Sequence, residues 1–405
     1  ARVISYDKES GELVLHNYMD FDDLKDYVKI SYELTQDGLV ISKGKLPEVS
    51  AAPHSEGKIN LKINVPESGK CYLKFIYHLK KELPLLDEDH ILGFDEIEVS
   101  QKDAKCQLAE KWVEKTVTDS ELQVSEDDTQ IHIKGREFAY TIDRRTALFT
   151  EMKFAGREYL NHPMELNIWR APTDNDMYIK SEWKKAHYDK AYTRAYTTEV
   201  VQGKHGVKIT SHASVVAETV QKILDVTITW KIEAAGKIDA DIAVTKDDEF
   251  PDLPRFGVRM FLDKKLSAAR YFGMGPQESY CDKHQAASHG LYHANVDDLH
   301  EDYIRPQENG SHYDCEYVEL NNSRYGIVVS AENAFSFNAS YYTQEELEKK
   351  THNYELTESD SVVFCVDYAL NGIGSNSCGP VVLDQYRFDD VLFRFQFTLI
   401  PYVKG

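Results

Sequence analysis

The fold class is decided by residues 223–232, ILDVTITWKI, in which apolar and polar side chains alternate strictly. Successive side chains of a β-strand point to opposite faces, so this pattern predicts a strand with one buried face and one solvated face. Such half-buried strands are typical of antiparallel sheets. The residues expected on the buried face are Leu224, Val226, Ile228, Trp230 and Ile232.

The same period of two returns along the rest of the chain, whereas helical patterns are few and short. Phe335 and Phe337 fit a strand core better than a sugar-binding platform. A short helix is predicted to begin near Ser181, and Thr343 with Glu346 forms a possible capping box. We therefore predict an all-β protein. Further alternating positions are Ile131, Ile133, Ile238, Ala240, Ile242, Val244, Phe393, Phe395, Phe397 and Leu399.

The chain has 405 residues, more than one hydrophobic core usually supports. Residues 101–125 are charged and poorly patterned, which indicates a boundary. The segment before them has the size and turn spacing of an immunoglobulin-like sandwich. We expect one such domain over residues 1–115 and a single large two-sheet sandwich over 120–405.

Charge and composition exclude several classes of function. A net charge of −21 offers no basic face for a nucleic-acid backbone. The N-terminus lacks a signal-peptide pattern, and no apolar run reaches the roughly 20 residues of a membrane span. We expect a soluble cytoplasmic protein without a membrane or nucleic-acid partner. The start inside a strand-like RVISYD without Met favours a segment of a longer chain.

The cysteines and histidines show no metal-binding spacing, so no metal site is predicted. Scattered thiols without a C-x-x-C pair are expected to be reduced. The six cysteines are Cys71, Cys106, Cys281, Cys315, Cys365 and Cys378.

The segment WRAPTDND, residues 169–176, is too polar for a core strand and leaves two interpretations open. In the first interpretation, the segment is a structural turn that Pro172 stiffens and in which Arg170 pairs with an acid. Alternatively, it braces a loop that serves a binding pocket.

Five segments in order resemble the C-terminal domain of β-galactosidases of glycoside hydrolase family 2. The N-terminal LHNYMDFDDLKDYVKISYEL, with Asn17, Phe21, Leu24 and Tyr27, resembles the domain that precedes it there. The resemblance covers nearly the whole chain and implies an immunoglobulin-like sandwich followed by a galactose-mutarotase-like supersandwich. The five segments are WRAPTDND, FGMGPQESYCDKHQAASHGLY, YIRPQENGSHYDCEYVEL, FSFNASYYTQEELEKKTHNYEL and NGIGSNSCGP.

Members of that family hold their two catalytic glutamates in a TIM barrel, with the acid/base glutamate following an asparagine. The 405 residues contain no Asn-Glu dipeptide. The resemblance therefore implies a C-terminal segment or small subunit with no catalytic residue of its own. Its partner would be the barrel portion or large subunit, which also holds the Mg and Na ions. The complete enzyme would be an oligomer that hydrolyses β-galactosides such as lactose.

The resemblance also implies two loops at the mouth of the barrel pocket. The first comprises Asp174, Asn175, Asp176, Met177 and Tyr178, with Met177 and Tyr178 exposed. We expect Asp176→Ala to cost this domain little stability, as for a surface residue. The second loop contains Asn376 and Cys378, the latter at or next to the position where many members place a tryptophan as sugar platform.

Other interpretations remain. Glu278, Tyr280, Asp282 and His284 resemble a metal or acid/base cluster, although a structural turn with a buried glutamate is favoured. The glycine-rich NGIGSNSCGP lacks the Lys-Ser/Thr of a phosphate loop. The chain as a whole could also be a freestanding carbohydrate-binding module, a mutarotase-like protein or a structural interaction domain.

Overall fold

The computed structural model describes residues 1–109 and 122–404. It divides into two compact units, one of residues 1–107 with 289–291 and the other of residues 108–288 with 292–405. The predicted domain limits at residues 115 and 120 lie outside the described residues and stay a prediction.

The first unit contains a three-stranded and a four-stranded antiparallel sheet. Its core takes apolar side chains from both sheets, including Leu13 and Leu15 of one and Leu73 and Phe75 of the other, all fully buried. Two sheets that share one core form a β-sandwich. The strands are β1 (Arg2–Tyr6), β2 (Glu12–His16), β3 (Val28–Gln36), β4 (Leu39–Lys45), β5 (Glu56–Asn60), β6 (Cys71–Leu79) and β7 (Ile91–Glu98). The sheet orders are β1-β2-β5 and β4-β3-β6-β7.

The second unit contains a five-stranded and a twelve-stranded sheet over one extended core. The strands of these two sheets are β8 (Gln123–Glu126), β9 (Gln130–Lys134), β10 (Phe138–Asp143), β11 (Leu148–Phe154), β12 (Arg157–Glu158), β13 (Leu160–Asn167), β14 (Tyr192–Gln202), β15 (Gly206–Val216), β16 (Leu224–Glu233), β17 (Ile238–Lys246), β18 (Arg255–Asp263), β19 (Ala268–Gly275), β20 (Ser288–Asn295), β21 (Ser311–Asn321), β22 (Tyr325–Ser340), β23 (Ser361–Leu370) and β24 (Leu392–Val403).

The smaller sheet has the order β12-β11-β10-β9-β8, and the main path of the larger is β13-β18-β23-β22-β24-β17-β16-β15-β14. Strands β19, β20 and β21 branch from this path where β21 pairs with β22. The path places β13 and β23 near each other, with only β18 between them. The segments that follow these two strands in the chain carry the predicted site residues.

Strand β16 shows why the alternating pattern predicts the sheet correctly. Every second residue from Leu224 to Ile232 is buried, and the residues between them are exposed or intermediate. The indole of Trp230 also donates to the carbonyl of Ala147 at 2.8 Å, which satisfies its polar atom inside the core. Phe335 and Phe337 are core residues as predicted. The all-β prediction is confirmed.

Helices are short decorations on these sheets. The α-helices among the described residues are α1 (Leu24–Tyr27), α2 (Ile179–Lys185) and α3 (Gln344–Lys349). Helix α2 begins slightly before the predicted Ser181, and the Thr343 hydroxyl caps α3 by accepting from the Glu346 amide at 3.1 Å. Single 3₁₀ turns occur at Asp174–Asp176, Tyr188–Lys190, Asp297–Leu299, Asn353–Glu355 and Asp384–Tyr386.

All six cysteines lie in the described part of the chain, and no disulfide joins any two of them. No helix in the same residues has both the length and the hydropathy of a membrane span.

Candidate functional site

The WRAPTDND segment follows β13 and folds around a buried ion pair. Arg170 donates from Nε and Nη2 to the two carboxylate oxygens of Asp176, at 3.1 and 2.7 Å. Asp176 also accepts from the amide of Thr173 at 2.8 Å and from its hydroxyl at 3.1 Å. The side chains of Arg170 and Asp176 are 0% and 3% exposed. The expectation that Asp176 behaves as a surface residue is therefore wrong.

This pair explains how a polar segment can lie inside the fold. Burial opposes the charge on Arg170, but the attraction and hydrogen bonds of Asp176 outweigh it and hold the guanidinium pKa above its usual value. Arg170 also donates to the carbonyls of Asn371 and Gly372, which begin the second predicted loop. The structural-turn interpretation is correct for Arg170 and Asp176, and the same arginine fastens both loops.

Asn175 joins the two predicted loops directly. Its amide nitrogen donates to the carbonyl of Gly374 at 2.7 Å, and its amide oxygen accepts from the hydroxyl of Ser377 at 2.8 Å. On the other side, the backbone amide of Asp174 donates to the side-chain oxygen of Gln307 at 3.0 Å. Hydrogen bonds thus connect residues nearly 200 positions apart in the chain.

The second loop is held from beneath by Asp282. Its carboxylate accepts from the backbone amides of Ile373 at 2.9 Å and Gly374 at 2.7 Å. Gly374 has a φ of +64°, which favours glycine, and a Cβ on Gly372 would lie 2.8 Å from the Asp282 carboxylate. Sequence reasoning weighed Asp282 only within a metal or acid/base cluster and missed its role as the support of this loop.

An open cavity of about 590 Å³ lies where the two loops meet. Five of the seven predicted site residues line it, namely Asn175, Asp176, Met177, Tyr178 and Asn376. Asp174 and Cys378 are exposed and are not among the described residues that line it. Met177 is 42% and Tyr178 is 61% exposed, as predicted. Tyr178 is the one aromatic side chain in the described lining.

The far wall of the cavity is built from Asp252, Val381, Asp384 and Arg387. Arg387 donates to the two carboxylate oxygens of Asp252 at 2.8 and 3.1 Å, and these bonds raise its pKa. The indole of Trp183 in α2 donates to the backbone carbonyl of Asp252 at 2.9 Å. The wall is therefore held by a bidentate ion pair and by a hydrogen bond from α2.

The GPQESY segment is structural, as favoured from the sequence. Glu278, whose side chain is 6% exposed, accepts from the amide of Gly310 at 2.8 Å and from Tyr303 and Lys283. His284 contacts the carbonyl of Tyr280. Among the described residues, no group of three or more potential ligands is placed to hold a metal ion.

A second buried ion network lies beside the site. Arg255, fully buried, pairs with Asp367 and with Glu308 at 3.2 Å. Burial raises the pKa of both carboxyl groups, while the Arg255 charge opposes that shift. The backbone amide of Glu308 donates to the carbonyl of Ala171 at 2.9 Å, so this network supports the first loop from below.

These observations define a class: a two-unit, all-β protein whose two loops, fixed from within by buried ion pairs, form the wall of an open cavity. The family described as "Beta galactosidase small chain" matches residues 134–399, and the family "Beta-galactosidase, domain 4" matches residues 13–100. The chain belongs to the β-galactosidase small-chain family and is the small-chain part of such an enzyme.

Individual relatives of this chain are also named β-galactosidase. The chain is 43% identical over 392 residues to a β-galactosidase of Actinobacillus pleuropneumoniae, covering 96% of this chain and 38% of the relative. It is 30% identical over 397 residues to a β-galactosidase of Staphylococcus xylosus, covering 97% of this chain and 39% of the relative. The chain thus spans about two fifths of the length of these relatives.

Among solved structures, the galactose 1-epimerase of Lactobacillus acidophilus NCFM is 8% identical with a TM-score of 0.39. The match covers 71% of this chain and 100% of that one.

Proposed function

We propose that this chain completes the active-site pocket of a β-galactosidase that hydrolyses terminal β-D-galactosides such as lactose with retention of configuration. Its partner is the TIM-barrel portion or large subunit, which carries the two catalytic glutamates and binds Mg and Na. The complete enzyme works as an oligomer in the cytoplasm. Alone, the chain does not catalyse the reaction, because the two carboxylates that a retaining glycosidase needs at the scissile bond lie on that partner.

The observation that carries this proposal is the Asn175 bridge. Two segments that the family resemblance assigns to the pocket mouth are fastened to each other by Asn175, Gly374 and Ser377, and they line one cavity. Loops that serve a ligand are usually positioned by a rigid scaffold. Here the scaffold is the pair of buried arginines, Arg170 and Arg255.

Exposed side chains at the cavity support a partner of the expected kind. Met177, Tyr178 and Val381 line the cavity and expose a large part of their apolar surface. Clustered exposed apolar residues with a polar rim mark binding sites for proteins or ligands. Tyr178 is also the candidate to take over sugar stacking from the tryptophan that many family members place near Cys378.

Substitution of Asn175 by alanine in the complete enzyme tests this role. Two hydrogen bonds that hold the loops together are lost, each worth about 1 kcal/mol, so kcat/KM should fall about tenfold or more. The measurement is steady-state hydrolysis of a nitrophenyl β-galactoside.

Asn161→Ala is the matched control. Asn161 is an exposed asparagine that lies in neither loop. Its side-chain amide also donates to a backbone carbonyl, that of Asp360, at 3.2 Å. Its replacement should leave kcat/KM unchanged. Equal kinetics for the two variants would refute the proposed role of the bridge.

A further inference from the structure

Two large side chains, Ile304 and Tyr354, lie in solvent on neighbouring segments of the second unit. Ile304 is 82% and Tyr354 is 80% exposed. The backbone amide of Asn353 donates to the carbonyl of Ile304 at 3.1 Å, which places the two segments side by side. A single exposed apolar residue is ordinary, whereas exposed apolar groups that lie together are a feature of interfaces. Ile304 and Tyr354 are called the exposed pair below.

The backbone that carries Ile304 is fixed on both sides. The hydroxyl of the preceding Tyr303 donates to the carboxylate of Glu278, whose side chain is buried. On the other side, Pro306 is buried. Ile304 is therefore held in solvent by an ordered segment.

The turn that carries Tyr354 is fixed as well. The carboxylate of Glu355 accepts from the backbone amides of Thr351 and His352, each at 3.0 Å. The ring of Tyr354 stacks on that of His352, with centroids 5.1 Å apart and planes 18° apart. A partner would meet a preorganised aromatic surface, so contact would cost little side-chain entropy.

Hydrogen bonds connect the exposed pair to the two loops of the proposed pocket. The side-chain oxygen of Gln307 accepts from the backbone amide of Asp174 in the first loop at 3.0 Å. The side-chain amide of Gln307 donates to the carbonyl of Arg305, the residue after Ile304, at 3.2 Å. Asn175, the neighbour of Asp174, bonds to the second loop. The exposed pair thus lies at one end of a hydrogen-bonded surface whose other end is the second loop.

The length of the relatives indicates what covers this surface. The chain covers 38% of the β-galactosidase of Actinobacillus pleuropneumoniae and 39% of that of Staphylococcus xylosus. Most of the length of such an enzyme therefore lies outside this chain. A segment of that size that sits on the two loops also meets the surface bonded to them.

We propose that Ile304 and Tyr354 form a docking contact for the catalytic portion of the β-galactosidase, outside the pocket itself. This inference rests on the proposed function, because it takes the same portion of the enzyme as partner. The partner surface that fits is an apolar depression with an acidic group at its rim, since Arg305 is exposed beside Ile304. The contact holds the catalytic portion against the loops and takes no part in the chemical step.

Photo-crosslinking in the complete enzyme tests this contact. Benzoylphenylalanine in place of Tyr354 or of Ile304 should, on illumination, join a peptide of the catalytic portion, which mass spectrometry identifies. The matched control carries benzoylphenylalanine in place of Lys204, an exposed residue in the turn between β14 and β15, and should give no such product. Circular dichroism confirms that each enzyme is folded. Cross-linking needs no turnover, so failure of the contact and failure of the proposed function are told apart.

Cross-links to the catalytic portion from positions 304 and 354, with none from position 204, support the docking contact. Absence of a cross-link from both positions of the exposed pair overturns it. A product that joins two copies of this region also overturns it, because the exposed pair would then be an interface between copies. Equal cross-linking from position 204 to the same peptides overturns it too, because the product would not depend on the exposed pair.

Discussion

At the scale of single residues, the Arg170–Asp176 pair is the feature on which the site depends. Both charges are removed from water, so each is tolerable only while the other is present. Arg170 also donates to two backbone carbonyls of the second loop, so loss of Asp176 should disturb both loops.

Asp176→Ala should lower the free energy of unfolding of the chain by about 3–5 kcal/mol, because Arg170 is left charged and buried. Urea unfolding measures this change. Asp174→Ala, an exposed neighbour in the same turn, should stay within about 0.5 kcal/mol of wild type. A loss for Asp176→Ala no larger than that of Asp174→Ala would show that the pair contributes no stability.

The sequence predicts the burial of a residue correctly where that residue lies in a regular pattern of apolar and polar side chains. Trp230 and Phe337 lie in period-two runs, and their burial follows from strand geometry. Asp176 lies in a polar run, where the same letters describe an exposed loop and a loop folded over a buried arginine. Only the burial of Arg170 in the folded structure distinguishes the loop over a buried arginine from an exposed loop.

At the scale of elements, the strands were predictable and their pairing was not. Strand β22 pairs with β21, β23 and β24 along different parts of its length. No local pattern encodes this, because each pairing joins distant segments whose faces look alike in sequence. The branch β19-β20-β21, which places His312 in the core, was likewise invisible.

His312 on β21 makes the stability of the second unit depend on pH. Its ring lies 4.5 Å from that of Tyr271 and stacks on Phe337 at 5.0 Å, and its Nε2 has no partner among the described residues. Burial lowers its pKa to about 4 from the usual 6.5. Between these values the unfolded chain binds the extra proton, so stability is fully present above pH 6.5 and falls as the pH drops toward 4.

The expected contribution of this one group is a slope of about 1.4 kcal/mol per pH unit within that window. Urea unfolding at several pH values measures the slope for wild type and for His312→Phe, which should lose this contribution. His162→Phe is the control, because that histidine is half exposed. An unchanged slope in His312→Phe would contradict the buried neutral state.

At the scale of the whole molecule, the order of the two β units was predictable, and the meeting of the two loops was not predictable from spacing. Asn175 and Gly374 are 199 positions apart. Only resemblance to a family suggested that they share a site, and resemblance could not reveal that Asn175 itself makes the link.

The central claim is that this chain completes a catalytic pocket that lies on another segment. The most direct test is nitrophenyl β-galactoside hydrolysis by three samples: this chain, the catalytic portion of the same enzyme, and an equimolar mixture. We expect activity well above both separate samples only in the mixture, with this chain alone inactive. Hydrolysis by this chain alone that is lost with one of its own carboxylates, or full activity of the catalytic portion without it, would contradict the account.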